Sequence, residues 1–213
     1  MKESEGVIQY RLDYRPGKLP TETDLTSLFR WFRRCRGLQL IGQDPQHYGG
    51  IAYGNLSVRS GRGFVISGTQ TGAKPALGPQ DLAWVEDFDA ARNWLQATGP
   101  ARPSSEAMTH GQIYRVAPAV AAVIHVHSAV IWRHAGQLGL AVTAPAAGYG
   151  TPQMAAEVER LMCSMPQGQA AVFSMGGHAD GVVAYAEDMD RAGDLLLELL
   201  TRARQIENAR INA

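Results

Sequence analysis

The sequence has no excess of charge of either sign. Its 20 basic side chains balance 20 acidic ones, so the formal net charge is zero. A domain that binds nucleic acid usually carries a basic excess or a basic stripe. The densest basic cluster comprises the four arginines within residues 30–36, and we interpret it as a solvated helix face. The sequence therefore predicts no nucleic-acid partner.

Cysteines and long apolar runs are also scarce. The two cysteines, Cys35 and Cys163, have no CxxC partner, which argues against a disulfide framework and fits a reducing compartment. The opening segment MKESEGVIQY lacks the apolar region of a signal peptide. No apolar run reaches the ~20 residues that a membrane span requires. We therefore expect a cytoplasmic protein without a membrane contact.

A chain of 213 residues with 45% hydrophobic composition can bury one core. We expect an extended arm over residues 1–22 and a single domain over residues 23–213. Predicted strands cover residues 55–59, 63–67, 81–86, 120–127, 170–174 and 181–186. The first predicted helix begins at a cap at Thr23 and is ended by Gly37, and the second covers residues 88–98. The third runs from Ser104 or Ser105 to about Val116, and the fourth begins at Thr151-Pro152 and ends before Pro166 and Gly168. The fifth covers residues 188–207. This irregular alternation predicts a central sheet covered by helices, in the α/β or α+β class.

Two histidines close the most apolar predicted strand, VAAVIHVH. Because alternate side chains of a strand point to the same face, His125 and His127 project together. Two neutral imidazoles suit a cation such as Zn²⁺. A pair of polar residues on a solvated strand face is the alternative, and the motif alone does not decide between them.

A metal site needs a third protein ligand. His178 lies in the turn Met175–Gly181, where glycines would let the backbone approach closely and direct the ring inward. The other candidates are His47, His110 and His134. We interpret His134 as a surface residue, and His110, four positions after Glu106, as a packing or capping residue.

A helix predicted to begin at Ser104-Ser105-Glu106 offers free backbone N–H groups to an anion. Glu106 would then point into the same pocket and either ligate the metal or move a proton. A plain helix cap is the alternative interpretation. The turn at Gly54-Asn55 and the Thr71-Gly72 pair are two further candidate anion sites.

The order of these motifs resembles the class II aldolase/adducin family. GNLS, a Thr-Gly turn, SSE, HVHS, Gly150-Thr151 and a late Gly-His succeed one another between about Leu25 and about Leu200. The resemblance implies a three-layer α/β/α sandwich around a mostly antiparallel sheet. It also implies a homo-oligomer, with a cyclic tetramer favoured and active sites at the subunit interfaces.

The resemblance further implies residue roles. His125, His127 and His178 match the metal ligands, and Glu106 matches the acid/base carboxylate that also ligates the resting metal in fuculose-phosphate aldolases. The positions that match the family's phosphate-holding residues are Asn55, Thr71, Gly72, Ser104 and Ser105. Zinc is the expected ion, and Mn²⁺, Co²⁺ or Fe²⁺ could replace it.

The chain departs from the family pattern in three places. Ala52 stands where a small hydroxylated residue is usual, and the segment 87–103 is expected to be longer and more helical than usual. The late loop reads GGHADG in place of an Asn-His-Gly turn. These departures weaken the phosphate assignment more than the metal assignment, so a substrate carboxylate stays open.

The resemblance predicts a metal-dependent carbon–carbon lyase, aldolase-like, for a small hydroxy-carbonyl compound such as a sugar phosphate. The cation would stabilise an enediolate, and Glu106 would transfer the proton. Decarboxylation, epimerisation and dehydration need the same chemistry, although Glu at position 106 favours a lyase over the epimerase type. A non-catalytic, adducin-like interaction module is the remaining alternative. Tyr149 and Tyr185 are candidates for a second acid.

Overall fold

The computed structural model describes residues 7–164 and 170–211. The strands are β1 (Arg11–Pro16), β2 (Gly42–Gln43), β3 (Ala52–Tyr53), β4 (Asn55–Ser60), β5 (Gly63–Ser67), β6 (Leu82–Asp89), β7 (Trp94–Gly99), β8 (Ala122–His127), β9 (Ala141–Val142), β10 (Ala171–Ser174) and β11 (Gly181–Ala186). The α-helices are α1 (Thr26–Gly37), α2 (Ala107–Val116), α3 (Ala129–Arg133), α4 (Pro152–Ser164) and α5 (Met189–Ile211). Short 3₁₀ turns occupy Tyr48–Gly50, Thr71–Ala73 and Pro79–Asp81.

Within the described residues, nine strands form one sheet in the order β1-β7-β6-β5-β4-β8-β11-β10-β9. The outermost pairs, β1 with β7 and β9 with β10, are parallel, and the other neighbours are antiparallel. Strands β2 and β3 form a separate antiparallel pair. The mostly antiparallel sheet confirms the predicted class.

The alternation of side chains on β8 divides the core into two layers. Val123 packs in the same apolar cluster as Met108 of α2 and Met154 of α4. Ile124 packs on the other face, in a cluster with Leu28 of α1 and Leu196 of α5. His125 and His127 are two and four positions after Val123 on the strand. Because alternate side chains share a face of the sheet, both lie on the face that α2 and α4 cover. The three layers agree with the predicted α/β/α sandwich.

Helix α5 is bound to the rest of the fold by polar contacts near both ends. Asp190 accepts hydrogen bonds from the Trp31 indole and from Arg30, both on α1. Further along α5, Glu207 bonds the imidazole of His134. His134 is only 1% exposed, so its interpretation as a surface residue was wrong. The carboxylate partner, 73 residues away, allows the ring to be buried.

Most predicted elements are confirmed, including the strands around residues 55–67 and the helix that begins at Pro152. The predicted helix over 88–98 was wrong: the segment completes β6, turns, and continues as β7. Asn93 adopts the left-handed conformation, with φ of 49°, that closes this hairpin. The segment 87–103 is therefore a strand connection and not a more helical insertion. The predicted end of α4 before Pro166 and Gly168 lies outside the described residues.

The first predicted helix starts later than expected. Thr23 does not cap it: its hydroxyl pairs with Ser60, and Asp24 accepts the backbone N–H of Thr26. Upstream, residues 11–16 of the predicted arm are extended and belong to the sheet as β1. Within the part of the chain that the structure describes, no helix combines the length and hydropathy that crossing a bilayer demands.

Candidate metal centre and active site

Three histidines from two segments of the chain meet at one end of β8. His125 and His127 are at the end of that strand, and His178 comes from the turn between β10 and β11. One ring nitrogen of each lies within 4.8 Å of the others, and all three side chains are buried. The structure therefore brings together the three residues that were predicted from separate motifs.

The cluster has dimensions that fit a tetrahedral cation. The Nε2 atoms of His127 and His178 are 3.1 Å apart. Two nitrogens bound to one tetrahedral zinc at ~2.0–2.1 Å are roughly 3.3 Å apart. Among the described residues, neither ring nitrogen of His125 makes a close hydrogen bond, although the Val182 backbone is near enough to raise the pKa of the ring. Buried polar atoms are normally satisfied, so a ligand for this ring is expected.

The imidazoles are also in the protonation state that metal binding requires. Burial lowers the pKa of His127 to about 4, although the nearby Asp180 carboxylate raises it. Burial, followed by the neighbouring histidines, holds the pKa of His125 well below its usual value. Both rings are therefore neutral at neutral pH, and neutral imidazole is the form that ligates metals.

Glycines position the His178 loop, as predicted. A Cβ atom at Gly176 would lie 2.2 Å from the Thr143 carbonyl oxygen, and one at Gly177 would lie 2.1 Å from that of Ala147. These separations are too short for any side chain, so the loop can pack this closely only with glycine. The His178 ring is 5% exposed as a result.

Glu106 completes the cluster immediately before α2. Its Oε1 lies 3.8 Å from His178 Nε2, and its side chain is 2% exposed. The Thr109 hydroxyl donates a hydrogen bond to the other carboxylate oxygen, Oε2, at 2.8 Å. Glu106, and not Ser104 or Ser105, occupies the cap position of the helix, and no side chain caps it there. Thr109 thereby fixes the orientation of a carboxylate that lies beside the His178 imidazole.

Two of the predicted anion-binding loops pack against Ser67. The backbone N–H of Ser104 donates to the Ser67 carbonyl at 3.2 Å, and that of Leu56, next to Asn55, donates to the Ser67 hydroxyl at 3.1 Å. Asn55 is paired in register with His125, which places this segment beside the histidine cluster. The amide oxygen of Asn55 is buried and has no hydrogen-bond partner among the described residues.

The remaining anion candidates are partly engaged in local contacts. The Thr71 hydroxyl donates to the Gly68 carbonyl at 2.7 Å. Gly72 packs so closely that a Cβ atom would lie 2.4 Å from the Tyr53 carbonyl oxygen. Ser104 Oγ accepts the backbone N–H of Glu106 at 3.3 Å, and Ser105 is 5% exposed. Ser104 is thus adjacent to both the carboxylate and the Asn55 segment.

His110 is buried, and its backbone N–H donates to the Glu106 carbonyl, whereas its ring bonds a different residue. Its Nδ1 is 2.7 Å from the Ser57 hydroxyl, which is also 2.8 Å from the Tyr114 hydroxyl. Complete burial lowers the pKa of His110 to about 3, so the ring is neutral. This network explains the packing role predicted for His110.

The two tyrosines considered as second acids lie in different surroundings. The Tyr149 ring centroid is 5.0 Å from that of His178, and Tyr149 is 1% exposed. Tyr185 lies in the apolar core, and burial raises its pKa to about 12. Tyr149 is therefore the tyrosine of the two that contacts a predicted ligand.

A cavity of about 390 Å³ adjoins His127 and contains residues that the sequence analysis did not single out. These residues in its lining are Tyr48, Tyr53 and Asp180. A larger cavity, of about 540 Å³, lies near Trp84 at the far end of β4 and away from the imidazoles. The 390 Å³ cavity therefore reaches the histidine cluster at His127. Of these residues, Asp180 could have been identified from the sequence, because it follows His178 by two positions in the GGHADG loop.

Comparisons with known proteins agree with this geometry. The sequence profile described as "Class II Aldolase and Adducin N-terminal domain" matches residues 46–206. The "5-methylthioribulose-1-phosphate/5-deoxyribulose-1-phosphate aldolase" of Rhodospirillum rubrum is 41% identical over 76 residues, which are 35% of this chain and 31% of that protein. The "Methylthioribulose-1-phosphate dehydratase" of Sorangium cellulosum is 39% identical over 75 residues, which are 35% of this chain and 34% of that protein. The chain therefore aligns with well under half the length of each of these curated relatives.

Solved structures share the fold at low sequence identity. The l-fuculose-1-phosphate aldolase of Thermus thermophilus superposes with a TM-score of 0.64 at 19% identity. The superposition covers 87% of this chain and 93% of that one. The sandwich is thus a known architecture.

Proposed function

Because the chain belongs to the class II aldolase and adducin family, we propose that it is a divalent-metal-dependent enzyme that cleaves a carbon–carbon bond in a small hydroxy-carbonyl compound. The observation that carries this proposal is the buried convergence of His125, His127 and His178 beside Glu106. An interaction module would have no need to bury three imidazoles and a carboxylate together, because such groups are costly to desolvate.

The histidines, Glu106 and Thr109 would each have a separate role in the reaction. The three neutral imidazoles would hold the ion, with zinc the proposed occupant and Mn²⁺, Co²⁺ or Fe²⁺ as alternatives. When bound, the cation would supply electrostatic stabilisation of negative charge developing on the substrate. Glu106 would take or return the proton at the carbon beside the carbonyl, and Thr109 would keep its carboxylate oriented.

We further propose that the substrate is a sugar phosphate. The Asn55 side chain lies beside the proposed metal ligands, in a segment that packs with Ser104 against Ser67, and its NH₂ group would be the donor to the phosphate. Thr71, Gly72 and Ser105 would complete the phosphate site. The curated relatives named above act on phosphorylated ribulose derivatives, which supports a phosphate over the alternative carboxylate.

Dehydration is the second candidate reaction, because one of the two curated relatives is named as a dehydratase. Loss of water and aldol cleavage both require a stabilised anion beside a carbonyl, so the same residues could serve either. The two reactions differ in their products: cleavage of a ketose 1-phosphate gives dihydroxyacetone phosphate and an aldehyde, whereas dehydration gives one diketone phosphate.

Three broader proposals accompany this function. The enzyme is proposed to be cytoplasmic and to form a homotetramer. Residues 23–213 are proposed to be its single domain, with β1 as part of the preceding arm that joins the sheet. Mass measurement under native conditions would test the assembly directly.

The decisive experiment combines metal analysis with product analysis. The purified protein is expected to contain a divalent cation and to convert a ketose 1-phosphate, and removal of the ion by a chelator should abolish turnover until the ion is restored. Dihydroxyacetone phosphate among the products supports the aldolase, and a diketone phosphate supports the dehydratase. A wild-type protein that binds no cation, and that His127→Ala leaves unaltered, would favour the adducin-like interaction module.

A further inference from the structure

Two residues that border the 390 Å³ cavity have backbone conformations that L-residues rarely adopt. The φ angle is 51° at Tyr48 and 63° at Asp180. Gly49 and Gly50 follow with φ of 67° and 75°, so residues 48–50 form one left-handed turn. A bulky side chain in this region is a genuine outlier, and such strain costs on the order of 1–3 kcal/mol. The surrounding contacts must hold both residues in place.

The contacts that hold them involve each other and a predicted metal ligand. The Tyr48 hydroxyl donates a hydrogen bond to Asp180 Oδ2 at 2.6 Å, across 132 residues of sequence. The Tyr48 ring packs edge-on against His127, with centroids 4.5 Å apart and planes at 77°. The Asp180 carbonyl accepts the backbone N–H of Ser128, the residue after His127, at 2.8 Å. Tyr48 and Asp180 therefore connect the end of β8 to the loop that carries His178.

We propose that Tyr48 is a positioning residue of the metal centre: its hydroxyl holds Asp180, and with it the His178 loop, while its ring holds the His127 imidazole. His127 and His178 belong to separate segments, and their Nε2 atoms must stay close to bind one ion. A single side chain that contacts both segments fixes this spacing. The inference rests on the proposed metal centre, in which Tyr48 is not a ligand.

Tyr53 provides a matched comparison within the same cavity. Its ring also lies against His127, with centroids 5.2 Å apart, and against Tyr48, with centroids 5.1 Å apart. Its hydroxyl donates to the Gln39 carbonyl at 3.4 Å, in place of a bond to Asp180. Loss of the Tyr48 hydroxyl removes the bond to Asp180, whereas loss of the Tyr53 hydroxyl does not. Comparing the two variants therefore distinguishes the effect of that bond from the effect of removing any tyrosine hydroxyl from the cavity.

The test measures cobalt(II) binding by the purified protein in competition with a chelator, together with the visible absorption spectrum of the bound cobalt. Tyr48→Phe is expected to weaken cobalt affinity by about tenfold or more, as loss of a partner that orients a ligand does. It is also expected to alter the spectrum, because the ligand geometry changes. Tyr53→Phe should match the wild type in both measurements.

Asp180→Asn is the conservative variant. Asparagine tolerates the left-handed conformation, and its amide oxygen can still accept the Tyr48 hydroxyl. Its cobalt affinity should lie between those of Tyr48→Phe and the wild type. If Tyr48→Phe does not fold without metal, the comparison of Asp180→Asn with Tyr53→Phe decides the same question.

The outcomes separate this inference from the proposed function. A Tyr48→Phe protein that unfolds more readily but binds cobalt with unchanged affinity and spectrum would show a purely structural role and overturn the inference. Equal losses in Tyr48→Phe and Tyr53→Phe would overturn it as well. A wild-type protein that binds no stoichiometric cobalt would overturn the metal centre itself, and the inference with it.

Discussion

His127 and His178 are separated by 51 residues in the sequence, yet their Nε2 atoms lie 3.1 Å apart in a buried site. His127 is fixed by the register of β8 against β11, in which it pairs with Gly181. His178 precedes that glycine by three residues and turns back over the strand end. The sheet register and the loop together bring the two rings to a spacing that suits one cation.

Replacement of Glu106, the proposed acid/base carboxylate, should separate turnover from metal binding. Glu106→Gln keeps an oxygen that can accept the Thr109 hydroxyl but cannot act as a base. We expect turnover to fall by about 10²–10⁴-fold while the metal content is retained. Steady-state kinetics and metal analysis of the same preparation would check this.

Glu86→Gln is the matched control, because Glu86 also accepts a threonine hydroxyl, that of Thr98, on β6 and β7. It should leave turnover unchanged. A Glu106→Gln protein as active as the wild type would exclude Glu106 from proton transfer.

Two substitutions of Asn55 should test whether it contacts the substrate's anionic group. Loss of the amide in Asn55→Ala is expected to raise the KM for a ketose 1-phosphate by about tenfold, the equivalent of one hydrogen bond to a charged group. Asn55→Asp should raise it further, because a carboxylate repels phosphate. Kinetics with phosphorylated and unphosphorylated substrates would measure the difference, and equal effects on both would argue against a phosphate contact.

The stability of the metal-free protein should decrease in acid. The pKa of His127 is lowered from 6.5 to about 4 in the fold. The unfolded chain therefore binds a proton first as the pH falls, so stability is full above about pH 6.5 and decreases between that value and about pH 4. Each such histidine contributes up to ~1.4 kcal/mol per pH unit.

Urea unfolding at several pH values would measure this slope. His127→Gln should show a shallower decrease across the same window, because one buried titrating group is gone. A variant with the same slope as the wild type would mean that His127 is not the source of the acid sensitivity.

Gly193 in α5 should be intolerant of alanine. A Cβ atom there would lie 2.4 Å from ring atoms of Trp31. We expect Gly193→Ala to destabilise the fold by ~1–3 kcal/mol, because overpacking outweighs the better helix propensity of alanine. Thermal or urea unfolding would measure it. Gly37→Ala is the control: it has no atom within 4 Å of the new Cβ and should cause no loss.

Much of the sheet and the ligand set were predictable from local patterns. Alternating apolar residues mark β4, short apolar runs mark β5 and β8, and the two-residue spacing of His125 and His127 places both rings on one face. The segment 88–98 was misread because its alanines, arginine and leucine suit a helix. In the fold, Leu95 and Ala97 are buried and their neighbours are less so, which is the alternation of a strand. Asn93, in the left-handed conformation, closes the hairpin.

Contacts between distant residues could not be predicted in this way. Tyr48 and Asp180 are 132 positions apart, and no local pattern links one to the other. The same holds for the burial of His134, which depends on Glu207. Such partners become apparent only when the three-dimensional packing is known, because tertiary contacts override local preference.

The polar contacts of α5 also bear on the order of events during synthesis. The Trp31 indole and the His134 ring both depend on carboxylates of this helix, at Asp190 and Glu207. While the ribosome is still adding residues 189–207, the nascent chain exposes the apolar face of α1 and lacks the two carboxylates that these rings bond. We therefore expect the chain to complete its fold only after α5 has left the exit tunnel, as contacts of such long sequence separation require.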